Sequence, residues 1–336
     1  MSKLTRTLIP PSQRYTIPGL LDLLDLSHGD ARSKRTGFTI MLVLSGIIAV
    51  AGVLADSTAT VIGAMIIAPL GTPILGIAAG IVTGHPGLVA RSVLWVVFGL
   101  GVVVVIGAVL SFGVADPAVL TTNGQITGRT SPRIVDLVAA LATGMAGAFA
   151  MSRKDLSAVL PGVAIAISLV PPLGVVGVCA GQGAWSEALG ALILFLCNVV
   201  ALVIAGSIVF TMAGYARNPN ASPTTNRRRA YSIVAVLSIL IALPLAANSV
   251  VTLFYARTTY AIHQATGAWL DDADIDYTIN GITWTNRTAN VELFTEDGSL
   301  GDQSTLESSL ADSVPDWVTV TIHVTPATTH VVYGGS

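Results

Sequence analysis

The sequence predicts a polytopic α-helical membrane protein: seven transmembrane helices, built as a three-plus-three inverted repeat and one further span, with a small C-terminal α+β domain. Three observations carry this. The 336 residues are 52% hydrophobic and 11% charged, with a mean hydropathy of +0.74, where a soluble domain carries about 25% charged residues. Seven windows, near 38–55, 57–83, 88–114, 134–151, 156–180, 188–213 and 231–254, approach the length of a crossing, about 20 apolar residues. The second and fifth windows are interrupted by prolines near their midpoints.

The elements follow in chain order. Residues 1–36 form a segment outside the bilayer, and within it "IPGLLDLLDLSHGD" places Ile17, Leu20, Leu21 and Leu24 on one helical face with Asp22 and Asp25 opposite. This spacing predicts a short amphipathic helix, lying on the membrane surface or against its own bundle. Residues 37–114 hold the first three spans, 115–133 a connecting loop, 134–213 three more, 214–230 a basic loop and 231–254 the seventh. With the N-terminus inside, thirteen of the seventeen Lys and Arg fall on the cytoplasmic side, leaving Arg129, Arg133, Arg257 and Arg287 outside. The positive-inside rule then predicts N-in, C-out in a plasma membrane.

After residue 254 the texture changes. "ADIDYTINGITWTNRTANVELFTEDG" alternates in β fashion, "DQSTLESSLADSV" has helical period, and "DWVTVTIHVTP" alternates again. With a leading helix at 255–270 the expected order over 255–336 is α-β-β-α-β. One basic residue against eleven acidic ones over 258–336 predicts a solvated extracytoplasmic module and argues against nucleic acid as a partner. Both cysteines, Cys179 and Cys197, lie in apolar windows, so no disulfide framework is expected in this domain.

The interruptions are the informative feature. Span two holds Pro69, Gly71, Thr72 and Pro73 near its middle; span five holds Ser168, Pro171 and Pro172 near its own. A proline inside a helix removes one hydrogen bond and clashes with the preceding turn, at about 3 kcal/mol. Irregular backbone at that depth survives only where protein buries it or a cavity wets it. A shift of 99 residues carries Asp56 onto Asp155, Gly63 onto Gly162, Leu70 onto Leu169 and Pro73 onto Pro172, with nine identities over residues 37–82. Each unit has three spans, so the second enters the membrane inverted. Inverted repeats with interrupted helices at equivalent places point to a transporter binding site.

"IGAMIIAPLGTPILG", then Arg91–Ser92, then "LPGVAIAISLVPPLGVVG" resemble the prokaryotic membrane family catalogued as domain of unknown function three-eight-nine, over roughly residues 35–255. The resemblance implies a polytopic membrane protein and no particular activity.

Pro69, Gly71, Thr72, Pro73, Ser168, Pro171, Pro172 and Asn198 are therefore the candidate solute- or ion-binding residues. For the prolines, the plainer reading is a pair of kinks that let helices pack; for Asn198 it is an interhelical hydrogen bond. Asp56 and Asp155 precede Ser/Thr clusters and are expected to cap helices, or to form a symmetric pair of gates. Gly76, Gly80 and Gly84 repeat at GxxxG spacing and are expected to pack helices within a protomer or between copies of a homo-oligomer. No span carries a carboxylate or histidine at its centre, which disfavours the usual proton-coupled mechanism. No Walker loop, HExxH or Gly-x-Ser-x-Gly element is present, and the histidines lack metal-ligand spacing, so neither an enzyme nor a cofactor or metal is expected. The expectation is a secondary transporter or channel-like permease for a small polar solute or ion. The alternative is a structural or sensory protein whose external domain binds and whose bundle is a scaffold.

Overall fold

The computed structural model describes residues 9–113, 119–130, 134–156, 169–216, 254–285, 287–295, 300–311 and 313–326, with isolated positions at 232, 235 and 239. The chain divides into two units, Met1–Asn248 and Ser249–Ser336.

In the first unit, α1 (Ile17–Leu24) opens on a Thr16 cap whose hydroxyl accepts from the Gly19 amide at 3.2 Å. Leu20 and Leu24 are fully buried and α1 packs on a later helix, α4 (Gly71–Thr83). Of the two seats open to this amphipathic stretch, the one on its own bundle is taken. Next come α2 (Ala31–Leu54), α3 (Thr58–Ile67), α4 itself and α5 (Pro86–Ser111). The short α6 (Val119–Thr122) and α7 (Gly124–Thr130) lead to α8 (Ile134–Ser152), α9 (Val170–Gly181) and α10 (Trp185–Met212).

Four described helices, Ala31–Leu54, Pro86–Ser111, Val135–Ser152 and Trp185–Met212, are long and apolar enough to cross a membrane; the pair α3 and α4, bent by 49°, makes up to five. The first half of span five, with Ser168, and nearly all of the seventh window lie outside the described residues.

The packing is inside-out relative to a water-soluble protein. Along α5 the buried side holds Ser92, Gly99, Gly107 and Ser111, while Leu94 is 67% and Val97 59% exposed. Lipid gives apolar side chains no reason to hide, so close backbone approach at small residues supplies the cohesion.

By contrast, α4 and α9 are buried nearly all round. Helix α4 lies against α5 and α10; α9 lies against α5, α10 and α2. A shift of 99 residues carries Gly71, the first residue of α4, onto Val170, the first of α9, and Pro86 of α5 onto Trp185 of α10. The chain before α1 ties to the turn after α8: the Tyr15 amide donates to the Ser152 carbonyl at 3.3 Å and the Lys154 amide to the Gln13 carbonyl at 2.7 Å.

The second unit is an α+β fold. Its helix covers residues 254–272 and precedes β1 (Tyr277–Thr285), β2 (Thr288–Thr295), a second helix (Gln303–Ala311) and β3 (Thr319–Pro326). The sheet order is β1-β2-β3, antiparallel then parallel. Alternate residues of β2, Ala289, Val291, Leu293 and Thr295, face the core, where Ile262, Trp269, Leu270 and Leu306 meet them. Parallel pairing of β2 and β3 requires a crossover, and the Gln303–Ala311 helix is it.

Candidate mid-span breaks

Helix α3 stops at Ile67, where Ala68 turns extended (ψ 125°) and its amide reaches only the Met65 carbonyl, at 3.4 Å. Three residues later α4 starts after Leu70, without a side-chain cap. Helix α9 starts after Leu169, the residue to which the shift carries Leu70, also without a side-chain cap.

The prolines do not sit where an interior kink would put them. Pro73 is the third residue of α4, and Pro171 and Pro172 are the second and third of α9. First-turn amides have no partner inside the helix, so a proline there removes a donor that would otherwise be orphaned in a dry bundle. Pro69 lies in the connector, its carbonyl accepting from the Thr72 amide at 3.2 Å. Each helix start therefore keeps fewer unpaired amides than a proline-free first turn would. What break one presents is the Gly71 amide, the half-buried Thr72 and the carbonyls closing α3.

Helix α5 fixes the relative depth of the two starts. A Cβ added at Gly99 would lie 2.5 Å from the Leu70 side chain, and one at Gly76 would lie 2.6 Å from Ser92 Oγ, so α4 runs antiparallel along the first half of α5. Beyond it, a Cβ at Gly107 would lie 2.7 Å from the Gly174 carbonyl and 2.8 Å from Gly177 Cα, while Gly181 sits against Ala108 and Ser111. Val170 precedes Gly174 by about 6 Å of rise. Both half-helices therefore begin near the middle of α5 and run in opposite directions along it. Their starts are closely packed: Leu70 is 0% and Leu169 1% exposed, and Pro73, Pro171 and Pro172 are buried.

Asn198, on α10, is 3% exposed. Two turns and a little further along, Gly206 lies against Leu75 and Ala78 of α4. At 1.5 Å per residue that places Asn198 about 12 Å back, at the height of the first break.

Asp56 does not cap α3. Ser57 does, its hydroxyl 3.4 Å from the Thr60 amide. Asp56 instead stands at φ +48° and accepts from the Gly124 amide at 3.3 Å and the Gln125 amide at 3.0 Å, which start α7. Asn123 caps the same turn. Its Oδ1 accepts from the Gln125 and Ile126 amides at 2.9 and 3.0 Å, and its side-chain amide donates to the Val53 carbonyl at 2.8 Å. Asp155 pairs with Arg153 at 2.6 Å; the helix it was expected to cap lies outside the described residues. Among the GxxxG glycines, Gly76 and Gly80 pack α4 on α5 within the protomer, whereas Gly84 (φ +74°) is the left-handed C-cap of α4, its own amide and the next reaching back to Ile81 and Gly80. That geometry is glycine's by default. Sequence reading missed Gly107 and Gly177, which let α5 and α9 touch backbone to backbone; Gly177 stands at GxxxG spacing from Gly181, a signal that could have found it, whereas Gly107 has no such partner.

Among proteins of known sequence, the uncharacterised protein MJ0678 of Methanocaldococcus jannaschii is 31% identical over 198 residues, 59% of this chain and 60% of that protein. The chain thus matches less than two thirds of that relative's length. No solved structure matches. Residues 65–204, a stretch that includes both proline motifs, match the family model described as Domain of unknown function (DUF389), the family those motifs resemble.

Proposed function

We propose that the protein is a permease or secondary transporter of the plasma membrane, with its solute path at the two mid-span breaks. The observation that supports this is the pair of half-helices that start near the middle of α5, run in opposite directions, and each pack between α5 and α10. Such an arrangement is what a three-plus-three inverted repeat produces, and rocking of one repeat against the other gives alternating access. Because the prolines delete first-turn donors, the polar groups at this depth are the Gly71 amide, the Thr72 hydroxyl, Asn198 Oδ1 and the α3 carbonyls. They suit a small solute that donates hydrogen bonds, or a cation, better than an anion.

The test is access of water to the break. A Thr72→Cys variant in a background lacking Cys179 and Cys197, both buried, is treated from each side with a membrane-impermeant thiol reagent. The proposal expects modification from at least one side, with solute flux in liposomes. A thiol inert from both sides in every condition overturns it.

One observation favours the rival reading, a scaffold or sensor: Leu70 and Leu169 are essentially unexposed. On that reading the breaks are packing devices and the C-terminal unit carries the binding.

A further inference from the structure

The end of the bundle where α1 lies holds a cleft of about 770 Å³ that no mid-span residue reaches. Its polar lining is Arg14, Asp25, His28, His85 and Arg91; Ile17, Leu21 and Leu88 supply an apolar side. The one carboxylate is already spent. Asp25 accepts from Arg91 Nη2 at 2.6 Å and from the Ser27 amide at 2.8 Å, and its side chain is 7% exposed. The Arg91 side chain is 47% exposed, and Asp25 is its hydrogen-bond partner among the described residues, so most of its five donors remain for something else.

The other polar side chains of the cleft are exposed or held in place. His28 is exposed, and its imidazole makes no hydrogen bond among the described residues. The Thr83 hydroxyl donates to the Ala79 carbonyl at 2.6 Å and therefore accepts from His85 Nδ1 at 3.0 Å, so Nε2 donates to an anion only when the ring holds both protons. Arg14 is held with its guanidinium 4.7 Å from the centre of the Tyr215 ring. The 26-residue helix α5 begins at Pro86, and its cap residue His85 makes no side-chain bond to the first turn; its positive end meets the negative end of α4, which closes at Gly84, and the two offset one another.

We propose that this cleft binds a phosphate-bearing organic anion. The half-exposed Arg91 guanidinium fork matches the paired oxygens of phosphate, and Arg14 adds positive charge to the same lining. The volume is far larger than a simple ion requires, and the apolar side offers room for the organic body. The phosphate has two sources with the same chemistry, a soluble monoester or the head group of an anionic lipid, and the experiment separates them.

Purified full-length protein is titrated with AMP, using adenosine as the control, while melting midpoint and calorimetric binding are followed. In parallel it is placed in nanodiscs of phosphatidylglycerol and phosphatidylcholine, or of phosphatidylcholine alone. One of the two phosphate probes should bind saturably and raise the midpoint, with its phosphate-free or zwitterionic control inert. The Asp25→Asn/Arg91→Gln pair, which keeps a neutral hydrogen bond, should weaken that binding at least tenfold. His28→Gln, remote from any packing, should weaken it several-fold, and Arg32→Gln, outside the cleft, should leave it unchanged. Absence of saturable binding in both arms overturns the proposal. So does binding that persists undiminished in both cleft variants.

Discussion

At the scale of single residues, the contact between Asp25 and Arg91 shows how unequal two partners of one ion pair can be. Asp25 is buried and Arg91 is half in water. Burial by itself would raise the Asp25 pKa, but the Arg91 hydrogen bond and charge, with the Ser27 amide, outweigh it and hold the carboxyl below the usual carboxylate range. Removing Arg91 strands a buried carboxylate, which costs about 1–3 kcal/mol; removing the carboxylate leaves a guanidinium that water can serve, at about 1 kcal/mol or less. Arg91→Gln should therefore lower the melting midpoint more than Asp25→Asn. The pH dependence has a fixed sign. A depressed carboxylate contributes stability above its unfolded value, about 3.9, and loses it as pH falls through its folded value. Melting from pH 7 into acid should show this loss in the wild type and not in Asp25→Asn. None of this pair was legible in the sequence, because 66 residues separate the partners and nothing local marks Asp25 apart from Asp22. Asp56 is the same lesson: its position before a Ser/Thr cluster suggested a cap, but Ser57 takes that role and leaves Asp56 to hold a helix 68 residues away.

At the scale of elements, the half-helices were legible and their chemistry was not. The paired prolines fall within the first three residues of α4 and α9, where a proline removes no intrahelical hydrogen bond. Whether a proline breaks a helix or begins one depends on its place in the turn, and period alone is silent on that. The same holds for glycine. Gly76, Gly80 and Gly84 drew notice through regular spacing, whereas the backbone-to-backbone contact of α5 with α9 is made by Gly107 and Gly177. Two backbones that touch there have no flexible side chain to yield. Gly177→Leu should cost about 3 kcal/mol or more and part α5 from α9, seen as a large fall in melting midpoint in detergent. Gly101 lies on the same helix α5, yet a Cβ there meets nothing within 4 Å. Gly101→Ala should be neutral or stabilising by up to about 1 kcal/mol. Helix propensity alone predicts a gain at both positions, so equal losses at the two would overturn the account by close approach.

At the scale of the whole molecule, charge sorts the chain more sharply than hydropathy does. Thirteen of seventeen basic residues fall in the N-terminal segment and alternate loops, while residues 258–336 carry eleven acidic side chains against one arginine. The positive-inside rule favours the N-terminus inside, and an odd number of crossings would then put the C-terminal unit outside. That number depends on window 231–254, which only the sequence addresses. Cysteines at two exposed positions decide it: Ser12 ahead of α1 and Ser308 on the Gln303–Ala311 helix. In cells expressing a Cys179→Ala/Cys197→Ala background, a membrane-impermeant maleimide should modify Ser308→Cys on intact cells and Ser12→Cys only after permeabilisation. Modification of both on intact cells, or of neither, would mean an even number of crossings. The seventh window would then not be a span, and the acidic unit would share a side with the basic loops.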